Sequence, residues 1–250
     1  MPQLSIIILT WNQKDTTLRC LKSLEPTESA IDTELIVVDN GSSDGTREAI
    51  KQEFPQAIVI ANACNVGVAA ARNQGIKKAS GKYLLLLDND TIANHTAISA
   101  MLTHLNTHPR TAVVACRLVD TDKATQYTCK PYPGLFIKIT NVLGLDIRQH
   151  HFAPDDEGVL HPTYIIGACQ MIPKHVFYSI GLLDQNIFYG PEDADFCLRA
   201  VKAGYTVDCL TQFSIQHLHR RATTRNIFST LARKHIAALF YFYRKHNRWL

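Results

Sequence analysis

Asp88 and Asp90 stand one residue apart in the stretch YLLLLDNDT, where the most apolar run of the chain stops. Like charges held this close repel, so a partner for them is expected. Carboxylates suit Mg2+ or Mn2+, ions that prefer oxygen ligands and commonly share them with phosphate groups. Asp-Asn-Asp is also good turn chemistry, but its place at the end of an apolar strand favours a ligand. A second acidic group is formed by Glu192, Asp193 and Asp195 in GPEDADFC. The helix dipole favours acids in a first helical turn, yet three acids in four positions exceed what it asks. Asp195 is spaced to pair with Arg199 at i,i+4, which reads as structural. Glu192 and Asp193 stay open for chemistry. Further on, SIQHLHR puts His217 and His219 on one face of a strand.

Such groups need a rigid scaffold. The runs LSIIILT, ELIVVD, AIVIA and KYLLLLD are short and apolar on both faces. The helical patterns KDTTLRCLKSL, GTREAIKQEF and VAAARNQGIKKA alternate with them. This reads as βαβ units and an α/β fold, a doubly wound, mostly parallel sheet with helices on both faces. Next come a helix over 94–107 and a strand TAVVACRLV. Residues 120–160, rich in Pro, Gly, Asp and His, read as a long loop region. A strand TYIIGACQMI, a short helix opened by Pro173 and a helix PEDADFCLRAVKAG follow, then strands YTVDCL and FSIQHL and a helix over 226–246. In open α/β sheets, ligands bind outside the carboxyl ends of the strands. Those ends carry Thr10-Trp11-Asn12, Asp39, Asn65 and Asp88-Asn89-Asp90. A dinucleotide site would need GxGxxG after the first strand, where TWNQKDTT has no glycine, and no P-loop is present.

Composition sets outer bounds. With 250 residues, 46% apolar and 19% charged, the chain suits one large domain, alone or with an appendage. The net charge of +4 is mild, but HRRATTR and YFYRKHNRW gather positive charge late. That asymmetry fits either an anionic partner, lipid or phosphate, or a solvated basic face. Seven cysteines without a CxxC pair point to a reduced, cytosolic setting. MPQLSIIILT has no cationic region of a signal peptide. No apolar run reaches the roughly 20 residues of a membrane span, so a soluble or peripheral protein is expected.

Taken in order, SIIILTWN, ELIVVDNGSSDGT, NVGVAAARNQGI, YLLLLDNDT and FYGPEDADFCLRAVKAGY resemble the inverting nucleotide-sugar glycosyltransferases of family 2, which have the GT-A fold. The resemblance spans about residues 4–220 and is nearest to the rhamnosyltransferase-like branch that builds bacterial surface polysaccharides. It implies that Thr10, Trp11, Asn12, Asp39, Arg72, Asp88 and Asn89 bind the nucleotide sugar. It implies Asp88 and Asp90 as ligands of Mn2+ or Mg2+, with His217, or alternatively His219, as a third. Asp44 is left between nucleotide contact and helix capping, and Arg220 and Arg221 are candidates for phosphate. Inversion is a single displacement in which the acceptor hydroxyl loses a proton, so a carboxylate base is needed. The resemblance assigns this to Asp193, with Glu192 orienting the acceptor. Gly167 either lets a ligand approach the backbone or marks a bulge.

The implied donor is UDP- or dTDP-linked, and the acceptor is a saccharide or a lipid-linked saccharide. Nucleic acid is not an expected partner. The implied setting is cytoplasmic, at the inner face of the membrane. Residues 1–225 form the expected GT-A domain, with a nucleotide-sugar half at 1–118 and an acceptor half at 119–225. The helical segment 226–250 reads either as an interfacial helix on an anionic membrane or as a helix packed on the domain. Two other readings are a catalytically silent nucleotide-sugar-binding protein on the same fold and a nucleotidyltransferase. The latter calls for a Gly-rich basic phosphate loop that is not visible.

Overall fold

Four consecutive leucines, Leu84–Leu87, are completely buried, because the strand that carries them is covered on both faces. The computed structural model describes residues 1–25, 31–132, 134, 152–218 and 230–247. His219, Arg220, Arg221 and the middle of the expected 120–160 loop, residues 133 and 135–151, lie outside the described residues. The central sheet holds β1 (Leu4–Thr10), β2 (Thr33–Asp39), β3 (Ile58–Ala61), β4 (Tyr83–Asp88), β5 (Thr91–Ile92) and β6 (Thr111–Val119). It also holds β8 (Val159–Leu160), β10 (Cys169–Pro173) and β11 (Thr206–His217). A small ribbon pairs β7 (Cys129–Lys130) with β9 (Tyr164–Ile165). The strand order is β3-β2-β1-β4-β10-β6-β11-β5, with β8 beside β11.

Neighbours β3, β2, β1 and β4 are parallel, as the strand–helix alternation predicts. β10 runs antiparallel between β4 and β6, and β6 and β11 are parallel to each other. Helices α1 (Lys14–Lys22), α2 (Thr46–Glu53) and α4 (His95–Thr107) cover one face. Their Leu18, Leu21, Ile50 and Met101 pack on Ile6, Ile8, Leu85 and Leu87. Helices α3 (Val68–Lys78), α5 (Lys174–Ile180), α6 (Glu192–Lys202) and α7 (Thr230–His246) cover the other. There Ile76, Phe177, Phe196, Phe242 and Tyr243 pack on Ile7, Leu84 and Leu86. Alternate residues of each strand therefore feed alternate cores, which is why these runs are apolar throughout.

Two expectations need correction. TYIIGACQMI is not one strand, because the chain turns at Gly167-Ala168 between β9 and β10. YTVDCL and FSIQHL are not two strands. β11 runs through both, and the polar Thr211-Gln212 interruption falls where its register against β6 shifts, between Leu210 and Ser214.

Helix α7 is tied to α6 by charge as well as by apolar contact. Asp195 is fully buried and accepts hydrogen bonds from Arg199 Nε (2.9 Å), Lys245 Nζ (2.6 Å) and His246 Nε2 (2.9 Å). Burial alone would raise its pKa. The bonds from His246 and Lys245, with the charge of Arg199, pull the carboxyl down to about 2 instead. A depressed carboxyl contributes stability above its unfolded pKa of about 3.9 and loses it as pH falls through the folded value. Asp195→Asn is therefore expected to cost about 2–3 kcal/mol at neutral pH, the linkage value of a carboxyl lowered from about 3.9 to about 2. Urea unfolding across pH should show the gap to the unchanged protein narrowing below pH about 4 and closing near pH 2. A gap independent of pH would contradict the assigned network.

Candidate active site

Strand register sets the first layer of the site. Thr10 pairs with Asp39, and Asp88 lies one residue behind them, opposite Leu9, so three strand ends bring polar residues to one edge of the sheet. Beyond Asp88 the chain turns into β5, which pairs antiparallel with the end of β11 and sets Thr91 opposite His217. That ladder brings His217 to the DND turn. His217 Nε2 lies 3.2 Å from Asp90 Oδ1. Asp88, Asp90 and His217 each offer a ligand atom, all within 4.8 Å of one another. This set fits a divalent cation, with two hard oxygens and one imidazole nitrogen.

Gln126 completes the arrangement, and nothing in the sequence pattern singles it out. Its Oε1 lies 2.7 Å from His217 Nδ1, and its Nε2 donates to the His217 carbonyl at 2.8 Å. With the amide pinned this way, Nδ1 carries a proton, and Nε2 donates to Asp90 when protonated and offers its lone pair to a cation when not. An outer partner of this kind is what fixes the tautomer of a metal-binding histidine. Burial alone would lower the His217 pKa, but the Asp90 carboxylate raises it. Asp88 is pushed above the usual carboxylate range by desolvation, against the pull of Arg72 and with Asp90 adding to the rise.

The acidic end of α6 faces this cluster. Asp193 Oδ2 accepts the Gly167 N–H at 2.9 Å, and Oδ1 accepts the Ala194 N–H at 2.7 Å. Glu192 is only 6% exposed, with its Oε1 3.8 Å from Arg72 Nη1. Its Oε2 is buried without a hydrogen-bond partner. Burial and the charge of Asp193 push the Glu192 carboxyl up to about 7, with Arg72 opposing. Arg72 is not an exposed helical residue. Its side chain is 3% exposed and its Nη2 meets Asp88 Oδ1 at 2.5 Å. Tyr189, also unread in the sequence, belongs to the same cluster. Burial and the charges of Asp88, Glu192, Asp193 and Asp90 push its hydroxyl up to about 12. The sequence signal for it is its place in FYGPED, one turn ahead of the acids.

The remaining expected residues form a neighbouring group. Asn89 Nδ2 donates to Thr17 Oγ1 (2.9 Å), Gln13 Oε1 (3.2 Å) and Thr10 Oγ1 (3.3 Å), so Asn89 and Thr10 tie the DND turn to the start of α1. Asp39 is buried, with Oδ2 on Arg47 Nε (2.9 Å) and Oδ1 on the Ser42 N–H (3.1 Å). Asn12 has φ +51°, accepts the Ser43 N–H at 2.7 Å and donates its own N–H to Ser42 Oγ at 2.9 Å. The loops after β1 and β2 are thus laced together. Asp44 takes the Thr46 N–H at the start of α2 and the Lys14 N–H at the start of α1, both at 3.1 Å. Trp11 is 49% exposed and is not a core residue. The structure therefore joins Asp88, Asp90, His217, Arg72, Glu192 and Asp193 in one cluster. Trp11, Asn12 and Asp39 lie on the adjacent loops.

An α/β sheet with an acid-lined switch point and an acidic helix facing it defines a class, and comparison with known proteins agrees. The chain belongs to Glycosyl transferase family 2, whose model matches residues 5–180, and it is a glycosyltransferase. Among relatives, it is 23% identical over 268 residues to an N-acetylglucosaminyl-diphospho-decaprenol L-rhamnosyltransferase of Mycobacterium tuberculosis, covering 98% of this chain and 86% of that protein. It is 20% identical over 214 residues to the dTDP-rhamnosyl transferase RfbF of Shigella flexneri, covering 84% of this chain and 67% of the relative. A mannosyltransferase from Pyrobaculum calidifontis, solved in complex with GDP-Man and Mn2+, superposes with a TM-score of 0.61 at 17% identity. That match covers 88% of this chain and 58% of the other, and it identifies the fold as GT-A. The silent binding protein and the nucleotidyltransferase are not favoured by these relatives.

Proposed function

We propose that this glycosyltransferase moves a sugar from a nucleoside-diphosphate donor to an acceptor hydroxyl with inversion at the anomeric carbon. The observation that carries the reading is the single cluster of Asp88, Asp90 and His217 with Asp193 facing it. Asp88, Asp90 and His217 would hold Mn2+ or Mg2+. Bound there, the ion would neutralise charge on the leaving diphosphate. Asp39, Asn12 and the exposed Trp11 would receive the nucleoside, with Thr10 and Asn89 fixing the turn beneath it. Asp193 would take the acceptor proton through whichever oxygen faces the hydroxyl. Two backbone N–H groups keep its carboxylate in place. Glu192, buried behind it, would shape the acceptor side rather than touch the proton in flight.

The rhamnosyltransferase relatives support a dTDP-linked donor, with UDP-linked sugars next, and a saccharide or lipid-linked saccharide acceptor. A thermal-shift screen of dTDP-, UDP- and GDP-sugars with Mn2+ tests this. One class of donor should raise the melting temperature only when Mn2+ is present. No response to any nucleotide sugar would sink the reading.

A peripheral contact with anionic membrane is supported by α7. Arg233, Ile236, Phe240 and Arg244 are exposed on one face at i, i+3, i+7 and i+11. No helix among the described residues is long and apolar enough to cross a membrane. Ile236→Ser with Phe240→Ser should abolish sedimentation with phosphatidylglycerol liposomes while leaving the fold intact. Point changes are cleaner than truncation, which would also strip Lys245 and His246 from Asp195. Co-sedimentation that survives the double change would leave α7 as a packing helix only.

A further inference from the structure

A guanidinium lies between the two chemical halves of the site. Arg72 Nη2 donates to Asp88 Oδ1 at 2.5 Å and to the Gly167 carbonyl at 2.8 Å. Nη1 is 3.8 Å from Glu192 Oε1. The N–H of the same Gly167 donates to Asp193 Oδ2 at 2.9 Å. One residue in the turn between β9 and β10 thus accepts from Arg72 through its carbonyl and donates to Asp193 through its amide. Both hydrogens of Nη2 are engaged by protein acceptors, and the side chain is 3% exposed. Two of its five N–H groups are thus spent on the protein frame.

A side chain at 167 would press on the same guanidinium. A Cβ there would stand 2.7 Å from Arg72 Nη1, closer than such contacts are found. What approaches the backbone at Gly167 is therefore Arg72. Lysine could not replace the arginine, because a single ammonium lacks the planar fork that reaches a carboxylate, a carbonyl and a second carboxylate together.

We infer that Arg72 is a positioning residue that sets the Asp88 carboxylate directly and the Asp193 carboxylate through the main chain of Gly167. Resting on the function proposed above, this makes metal binding and the base step depend on one guanidinium. The Asp88 arm predicts that Arg72→Lys weakens Mn2+ binding about 10- to 100-fold, the usual loss when an outer partner of a metal ligand is removed. Gly167→Ala should weaken Mn2+ similarly by displacing Nη1, although the hydrogen bonds of Gly167 go to Arg72 and Asp193. The double variant should lose little more than either single one, since both act on the same contact.

The test is a Mn2+ titration followed by electron paramagnetic resonance on variants whose circular dichroism is native. It is paired with turnover of the donor found by the thermal-shift screen. Lowered Mn2+ affinity in both single variants, non-additive in the double, is the expected result. A lowered kcat that persists at saturating Mn2+ is expected from the Asp193 arm. If Arg72→Lys does not fold, Gly167→Ala and Gly167→Ser carry the test alone. Mn2+ affinity equal to that of the unchanged protein would overturn the inference while leaving the metal site standing. Additive losses, or a kcat fully restored by Mn2+, would overturn the relay through Gly167. An unchanged protein that binds no Mn2+ would bring down the metal reading itself, and this inference with it.

Discussion

Asp193→Asn should slow glycosyl transfer about 10²- to 10⁴-fold, the contribution general-base catalysis usually makes. Affinity for the nucleotide and for Mn2+ should hardly move. Asparagine keeps the size of the side chain and one accepting oxygen. Turned toward the Gly167 N–H, that oxygen preserves the contact that holds the side chain over the site, and only the Ala194 N–H loses its partner. What vanishes is the capacity to take a proton. Glu192→Gln should do less, because the Glu192 carboxyl is buried and its displaced pKa of about 7 already leaves it partly neutral near pH 7. The decisive record is turnover with donor affinity measured in parallel. Near-normal turnover in Asp193→Asn with collapse in Glu192→Gln would move the base by one residue, and full activity in both would end the mechanism.

The second large effect concerns Asp90→Ala. Asp90 holds His217 at 3.2 Å and supplies one of the three ligand atoms. Its loss should weaken Mn2+-supported binding of dTDP or UDP by at least the roughly 10- to 100-fold that follows removal of a mere outer partner. Treatment of the unchanged protein with EDTA should have the same result. Calorimetry gives the answer. If dTDP and UDP bind equally with and without Mn2+, and equally to Asp90→Ala, the metal role is wrong.

The parallel half of the fold was legible because strand and helix there follow one another within about thirty residues, and each strand is marked by an unbroken apolar run. Asp88, Asp90 and Asp193 were legible for the same reason, as charges placed where a buried run or a helix begins or ends. Gln126 was not, since it reaches His217 across 91 residues and leaves no periodic trace. Arg72 was expected beside the nucleotide sugar, but its burial against Asp88 and Gly167 left no mark in the sequence. A helix as alanine-rich as VAAARNQG leaves room for a guanidinium to lie buried, and only the approach of Gly167, 95 residues away, reveals it. The single long β11 was missed because a register shift hides inside a polar interruption that otherwise signals a loop.

The antiparallel insertion of β10 has a consequence for the order of assembly. β1 and β2, and β2 and β3, pair across about 20 to 30 residues, while β1 meets β4 only across about 80, yet all four strands have emerged before β10 is made. β4 then waits for Cys169–Pro173, about 80 residues later, before its other edge is covered. Closing a loop of that size costs conformational entropy before any contact repays it, so this pairing belongs to the slow part of folding. Gly167 and Asp193 come into place only with that closure. The nascent protein would thus gain the Asp88 and Asp90 carboxylates first, and the Asp193 acceptor and His217 of β11 only later, which leaves a half-built chain unable to carry out transfer.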